Sequence, residues 1–148
     1  MIKISKAVKS DLPEIAKLFD LYRQFYECEP NLELAKAYIT ERFSKKESTI
    51  FVAGQDGVLL GFVQLYPTYC SVEASRIFVL YDLFVDSRSR EQGVGKLLMN
   101  SAAEYARGQG ACRIDLSTAT TNKIGQHLYE KLGYVRDSEF YVYSLDLL

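Results

Sequence analysis

The sequence predicts one mixed α/β domain spanning residues 1-148, and three observations carry that expectation. Apolar residues switch repeatedly between a period of two and a period near 3.6 along the chain. The 148 residues are 48% hydrophobic and include eight Phe and eleven Tyr, enough to bury a full core without disulfides or metal. No internal repeat, low-complexity tract or linker divides them.

The elements follow in order. Ile2 and Ile4 alternate with Lys3 and Ser5 as a short strand. Ser10-Asp11-Leu12-Pro13-Glu14 reads as a helix start, with a capping side chain, a proline tolerated in the first turn and an acid at the positive dipole end. Leu12, Ile15, Leu18/Phe19, Tyr22 and Phe25/Tyr26 then recur at helical spacing. Pro30-Asn31 breaks and recaps the chain before a second helix carried by Leu32, Ala35, Tyr38/Ile39 and Phe43. Strands from Thr49 to Gly54 and from Val58 to Tyr66 flank Gln55-Asp56-Gly57, a hairpin signal because Asp-Gly supplies positive φ angles. Arg76 to Val85 is a β-branched and aromatic central strand. Val94, Leu97/Leu98, Ala102 and Tyr105/Ala106 form the longest helical stripe, stopped by Gly108 and Gly110. Cys112 to Leu116 is the next strand and Asn122 to Leu132 the last helix, stopped by Gly133. Tyr134 to Arg136 and Phe140 to Leu147 are expected to close the chain as a strand pair. The sum is six to seven strands and about four helices.

Composition excludes several classes of function. Eighteen basic and nineteen acidic residues with a pI near 5.9 argue against nucleic acid as a partner. No apolar run approaches the ~18 residues of a membrane span, and Met1 to Lys9 is no secretion signal, so a cytoplasmic protein is expected. Cys28, Cys70 and Cys112 are odd in number and widely spaced, and His127 is the lone histidine, so neither a disulfide framework nor a metal site is expected. Cys112 reads as a small core residue and His127 as a surface one. The near-zero net charge hides an asymmetry. Asp11, Glu14, Asp20, Glu27, Glu29 and Glu33 outnumber Lys17 and Arg23 in one stretch. Arg88, Arg90, Lys96, Arg107 and Arg113 outnumber Asp86, Glu91 and Glu104 in another.

The most informative stretch runs from Tyr81 to Met99: a strand, a short basic loop, Gly93 and Gly95, then a helix. Glycines let backbone N–H groups approach a ligand, and a helix start leaves donors unpaired at a positive dipole end, so this is an anion cradle. It is not a GxxxxGK[ST] loop, because Leu97 follows Gly95-Lys96 and Arg90 stands at the first glycine position. A GxGxxG dinucleotide fingerprint from Gly93 fails at Leu98.

Arg90-Glu91-Gln92-Gly93-Val94-Gly95 resembles the [Q/R]-x-x-G-x-[G/A] acetyl-CoA motif of the Gcn5-related N-acetyltransferase (GNAT) superfamily, placed after a strand reading Leu83-Phe84-Val85. Asn122 to Tyr134, with Tyr129 and Gly133, is similar to the family's Asn...(Leu/Phe)-Tyr-x-x-x-Gly-(Phe/Tyr) segment. Within the family the chain looks most like small-amine and histone-acetyltransferase-like bacterial members. The resemblance implies a sheet with a splayed central parallel pair and acetyl-CoA as acyl donor. It implies a pyrophosphate held by backbone N–H groups of Gln92, Gly93, Val94, Gly95 and Lys96, with Arg90 shaping the loop. Leu83, Phe84 and Val85 would meet the pantetheine arm and supply an oxyanion donor, and Asn122 would contact the cofactor or simply cap its helix. Tyr129 would act as general acid toward the CoA thiolate after direct attack by a primary amine. Tyr81-Asp82 stands where spermidine/spermine-type members carry Glu-Asp, so the Glu is missing. Asp82 is then a base acting through water, or a structural acceptor. Glu27 and Glu29, with Tyr81, are candidates for the acceptor mouth. The other class of reading is a non-catalytic acyl-CoA-binding module built on the same cradle. Phe140 to Tyr143 pairs either across a homodimer, as is frequent in the family, or within one monomer.

Overall fold

In the computed structural model, which describes all 148 residues, Asp56 and Gly57 both take positive φ, 52° and 78°. They close a two-residue turn between β2 (Thr49–Gln55) and β3 (Val58–Cys70), which suits the right-handed twist of the paired strands. β1 (Lys3–Lys6) lies antiparallel on the far side of β2, and β4 (Ser75–Val85) lies antiparallel to β3. β5 (Ile114–Asp115) completes a five-stranded sheet in the order β1-β2-β3-β4-β5 and makes its one parallel pair.

Four helices accompany the sheet: α1 (Leu12–Phe25), α2 (Leu32–Ser44), α3 (Val94–Gly108) and α4 (Lys123–Lys131). Asp11 Oδ2 accepts the Val8 N–H at 2.9 Å just before α1, and Asn31 Oδ1 accepts the Leu34 N–H at 3.1 Å to cap α2. Strand alternation sorts the core onto two faces. Ile50, Val52, Phe62 and Phe84 pack with Ile15, Leu18 and Phe19 of α1 and with Ala35 and Ile39 of α2. On the other face Phe51 and Phe78 each meet the Tyr105 ring of α3 at 5.6 Å, and Thr49 Oγ1 donates to the Tyr105 hydroxyl.

The chain divides into two compact units, Met1–Ser117 and Thr118–Leu148. The first holds the sheet, α1, α2 and α3. The second holds α4, capped by Asn122 Oδ1 accepting from the Gly125 N–H, followed by residues 134–148, which form neither helix nor strand.

The structure corrects three expectations. The sheet has five strands, not six to seven, because Tyr134 to Arg136 and Phe140 to Leu147 form no strand ladder. β5 is two residues long, and Cys112 falls outside it. Its N–H bonds to the Arg76 carbonyl and its side chain is exposed rather than in the core. The basic stretch is also largely self-neutralised: Arg88 pairs with Asp86, Arg107 with Glu104 and Arg113 with Asp115.

Candidate active site

The site in the first unit begins with an irregularity in β4. Gln64 pairs with Asp82 but Leu65 pairs with Leu80, so Tyr81 is an extra residue with no partner on β3. Such a bulge bends a strand and re-aims its side chains. Before it, Phe78 faces α3. After it, Asp82 and Phe84 face α1, and Phe84 meets the Tyr22 ring at 6.3 Å. On its other edge β4 pairs with β5 only at Phe78 and Val79, so Leu80 to Val85 runs on without a strand partner there. Side chains take the carbonyls at the two ends of that free stretch. The Tyr22 hydroxyl donates to Tyr81 O at 3.1 Å, and Arg90 Nε donates to Val85 O at 3.0 Å. Leu83 stands between them.

Asp82 is 4% exposed, and the carboxylate is held by a polar chain that crosses the sheet. Ser48 Oγ donates to Gln64 Oε1 at 2.6 Å, and Gln64 Nε2 donates to Asp82 Oδ2 at 2.7 Å. Burial pushes the Asp82 carboxyl up from the usual range, while hydrogen bonding from Gln64 and Tyr22 restrains that rise. Burial first, and the charge of Asp82 next, hold the Tyr22 phenol far above its ordinary value.

Beyond Val85 the chain builds the cradle. Asp86 Oδ1 caps a short 3-10 turn (Ser87–Ser89) by accepting the Arg88 N–H, and both its oxygens take the Arg88 guanidinium. That pairing keeps the Asp86 carboxyl below the usual range and draws Arg88 into the turn. Arg90 bridges back to β4, its guanidinium 5.6 Å over the Phe84 ring. Gly93 precedes α3 at φ 77°, a conformation that L side chains rarely adopt, and a Cβ there would meet only open space. The first N–H groups of α3, those of Val94, Gly95 and Lys96, have no acceptor within the helix, and the Lys96 side chain is exposed. Unpaired donors at the positive end of a helix suit an anionic ligand.

Asn122 and Tyr129 belong to the second unit. Asn122 caps α4 and donates from Nδ2 to Thr118 Oγ1, and Gly125 leaves room for its amide. Tyr129 is partly buried, its ring 6.2 Å from that of Tyr134. Glu27 and Glu29 are exposed after α1, with Glu27 at φ 65°. Asp20, counted in the same acidic stretch, instead pins the loop between α1 and α2, accepting the Asn31 N–H and the Gln24 amide. His127 is exposed. No group of three His, Cys, Asp or Glu side chains is placed to hold a metal ion.

Sequence reading passed over Gln64, Tyr22 and Tyr66, the last a phenol of β3 within reach of the Asp82 charge. Gln64 had a signal: it is a lone amide inside the apolar run from Leu59 to Leu65. The two tyrosines had none, because an aromatic at helical or strand spacing reads as core.

A helix start with unpaired donors at a strand–helix junction, set beside an unpaired strand edge, is a place for an anionic ligand. Known relatives narrow this. Residues 15–134 match the acetyltransferase (GNAT) family. The Bacillus subtilis (strain 168) uncharacterized N-acetyltransferase YhfO is 40% identical over 146 residues, covering 99% of this chain and 98% of that protein. A crystal structure of a probable acetyltransferase superposes with a TM-score of 0.93 at 35% identity, over 99% of this chain and 98% of the other. The aminoglycoside N-acetyltransferase AAC(6')-Iy in complex with CoA shares the fold, with a TM-score of 0.84 at 20% identity over 100% and 96% of the two chains. The chain belongs to the acetyltransferase (GNAT) family and is an acetyl-CoA-dependent acetyltransferase.

Proposed function

We propose that the protein is an N-acetyltransferase acting on a primary amine, as in the small-amine members of its family. The observation that carries this reading is a buried carboxylate, Asp82, on the same strand as the free edge beside the cradle. Acetyl-CoA would supply the acyl thioester and a thiolate leaving group. Backbone N–H groups from Gln92 to Lys96 would hold its pyrophosphate, with Arg90 fixing the loop against Val85. The Leu83 to Val85 edge would take the pantetheine arm, and an N–H there would hold the developing oxyanion.

An alkylamine has a pKa near ~10.4 and must lose a proton before its nitrogen can attack. Asp82 would take that proton, since burial makes it a stronger base than an ordinary carboxylate. Tyr129 would donate to the thiolate sulfur as the carbon–sulfur bond breaks. Glu27 and Glu29, exposed and acidic, would draw a cationic acceptor to Tyr81 and Asp82. We further propose a cytoplasmic location, supported by three cysteines that are free thiols. No helix is long and apolar enough to cross a membrane.

The test is release of free thiol from acetyl-CoA across a panel of small amines, amino acids and lysine peptides. Turnover on primary amines, lowered at least tenfold in kcat by Tyr129→Phe with acetyl-CoA affinity retained, supports the assignment. Unchanged kcat removes Tyr129 from the mechanism. Thermal stabilisation by acetyl-CoA with no thiol release on any amine favours the binding-module reading instead.

A further inference from the structure

Five tyrosines of the first unit form one contact-linked set, of which Tyr22 and Tyr66 lie within reach of the Asp82 charge. Tyr22 and Tyr26 of α1 meet edge to face at 5.2 Å, and Phe25 meets Tyr26 at 5.3 Å. Tyr66 of β3 meets Tyr81 of β4 at 5.9 Å, and the Tyr66 and Tyr38 hydroxyls lie 2.5 Å apart. Tyr22 joins the two groups through its hydrogen bond to Tyr81 O. The set is graded from outside to inside. Tyr81 and Phe25 are 68% and 57% exposed, Tyr26 nearly half, Tyr22 and Tyr66 are partly buried, and Asp82 lies innermost.

Hydrophobic burial explains the inner rings but not the outer ones, which stay in water. An aromatic face is the negative end of a quadrupole and attracts cations, most strongly where the cation is partly desolvated. The same set already seats one: the Arg42 guanidinium lies 4.5 Å over the Tyr38 ring. A buried carboxylate behind the rings adds a second attraction of the same sign, and exposed Glu27 and Glu29 follow α1 directly. These features suit an ammonium on an alkyl or arylalkyl arm. They do not suit a polyhydroxylated amine, which needs more hydrogen-bonding side chains than these rings offer.

Resting on the amine-acetylation reading, we propose that the acceptor binds as an alkylammonium on the Tyr26, Tyr66 and Tyr81 rings, and that Tyr22 relays its proton to Asp82. The ammonium N–H passes its proton to the Tyr22 oxygen while the Tyr22 O–H proton passes to an Asp82 carboxylate oxygen. The amine ends neutral with its lone pair free, Tyr22 is regenerated, and Asp82 carries the proton. Tyr22 stays a neutral phenol throughout: its O–H, which rests on Tyr81 O, turns to the adjacent Asp82 carboxylate to hand over the proton. An alkylamine and a peptide lysine present the same head group, and the assay separates them by rate.

Binding is measured without any chemistry, by calorimetry on the full chain with choline and its neutral isostere 3,3-dimethylbutanol. Choline is expected to bind roughly 3- to 30-fold more tightly, the range for a cation on aromatic faces. Tyr26→Leu and Tyr81→Leu are expected to erase that preference and Tyr26→Phe to keep it. Parity of the two probes, no choline binding at tens of millimolar, or indifference to both leucine variants overturns the site. The relay is tested by thiol release. Tyr22→Phe is expected to lower kcat roughly tenfold for n-butylamine, and much less for trifluoroethylamine, which is already neutral at the assay pH. An equal loss on both amines marks Tyr22 as merely structural and overturns the relay. Choline selectivity without thiol release on any amine leaves the ammonium site standing and removes the acetylation reading. Thiol release that favours amino sugars over n-butylamine and lysine peptides does the reverse.

Discussion

Asp82 combines two properties that pull against each other. Its carboxylate is buried and satisfied by Gln64, yet folding raises its pKa, so the charged form is held at a cost. The stability this group contributes is full below its unfolded pKa and is lost as pH rises through the raised folded value. Asp82→Asn, which keeps an acceptor for Gln64, is therefore expected to raise Tm at pH 7 by on the order of 2 to 4 °C, the shift that about 1 kcal/mol gives a domain of this size. The gain is expected to vanish in acid, where the native carboxyl is protonated too. The same variant is expected to lower kcat at least tenfold and to remove the acidic limb of the kcat/KM profile, a limb lying above the ordinary carboxylate range in the wild type. Melting curves and initial rates across pH measure both. A lower Tm at neutral pH would show the carboxylate to be structural.

At the scale of elements, the site depends on how closely β3 and β4 approach. Gly61 on β3 faces Val85, and a Cβ there would lie 2.6 Å from the Phe84 carbonyl oxygen and 3.2 Å from the Val85 Cα. Those are backbone atoms and cannot swing aside, so any side chain must push apart the strand end from which the cradle starts. Gly61→Ala is expected to destabilise the fold by about 1 to 3 kcal/mol. It is also expected to weaken acetyl-CoA affinity, because Phe84 and Val85 anchor the Arg90 side chain. Chemical denaturation and acetyl-CoA titration of the variant check the two effects. Wild-type stability would mean that the strands separate freely. The glycine was visible in the sequence inside an apolar strand run, but its role was not, since it depends on which strand lies opposite.

At the scale of the whole molecule, the second unit poses a physical problem. It is shorter than the ~40 residues below which a chain seldom buries enough apolar surface to fold alone, and none of its side chains is buried. Ile124, Phe140, Tyr141, Val142, Tyr143, Leu145 and Leu147 are all at least three-quarters exposed. The same chain carries an open sheet edge at the two-residue β5. We propose that Phe140 to Leu147 adds as a strand to that edge in a second copy, so that each chain satisfies the other in a symmetric exchange. Light scattering is expected to give twice 16.9 kDa for the full chain and a monomer after truncation beyond Glu139. A monomeric full chain with protected amides from 140 to 147 would place that strand in its own molecule and end the exchange proposal.

The sequence by itself determined the element order through Lys131, the Asp56-Gly57 hairpin, the glycine turn into α3 at Gly93 and the family. Each is written in local chemistry: a periodicity, a turn residue, a cap, a glycine before a helix. Only the tertiary structure decided that Gln64 and Tyr22 converge on Asp82, that Tyr81 is a bulge, that most of the basic stretch is spent on its own acids, and that the last segment has no strand partner. Those facts join residues far apart in the chain, and register, burial and ion pairing exist only once the strands and helices have met.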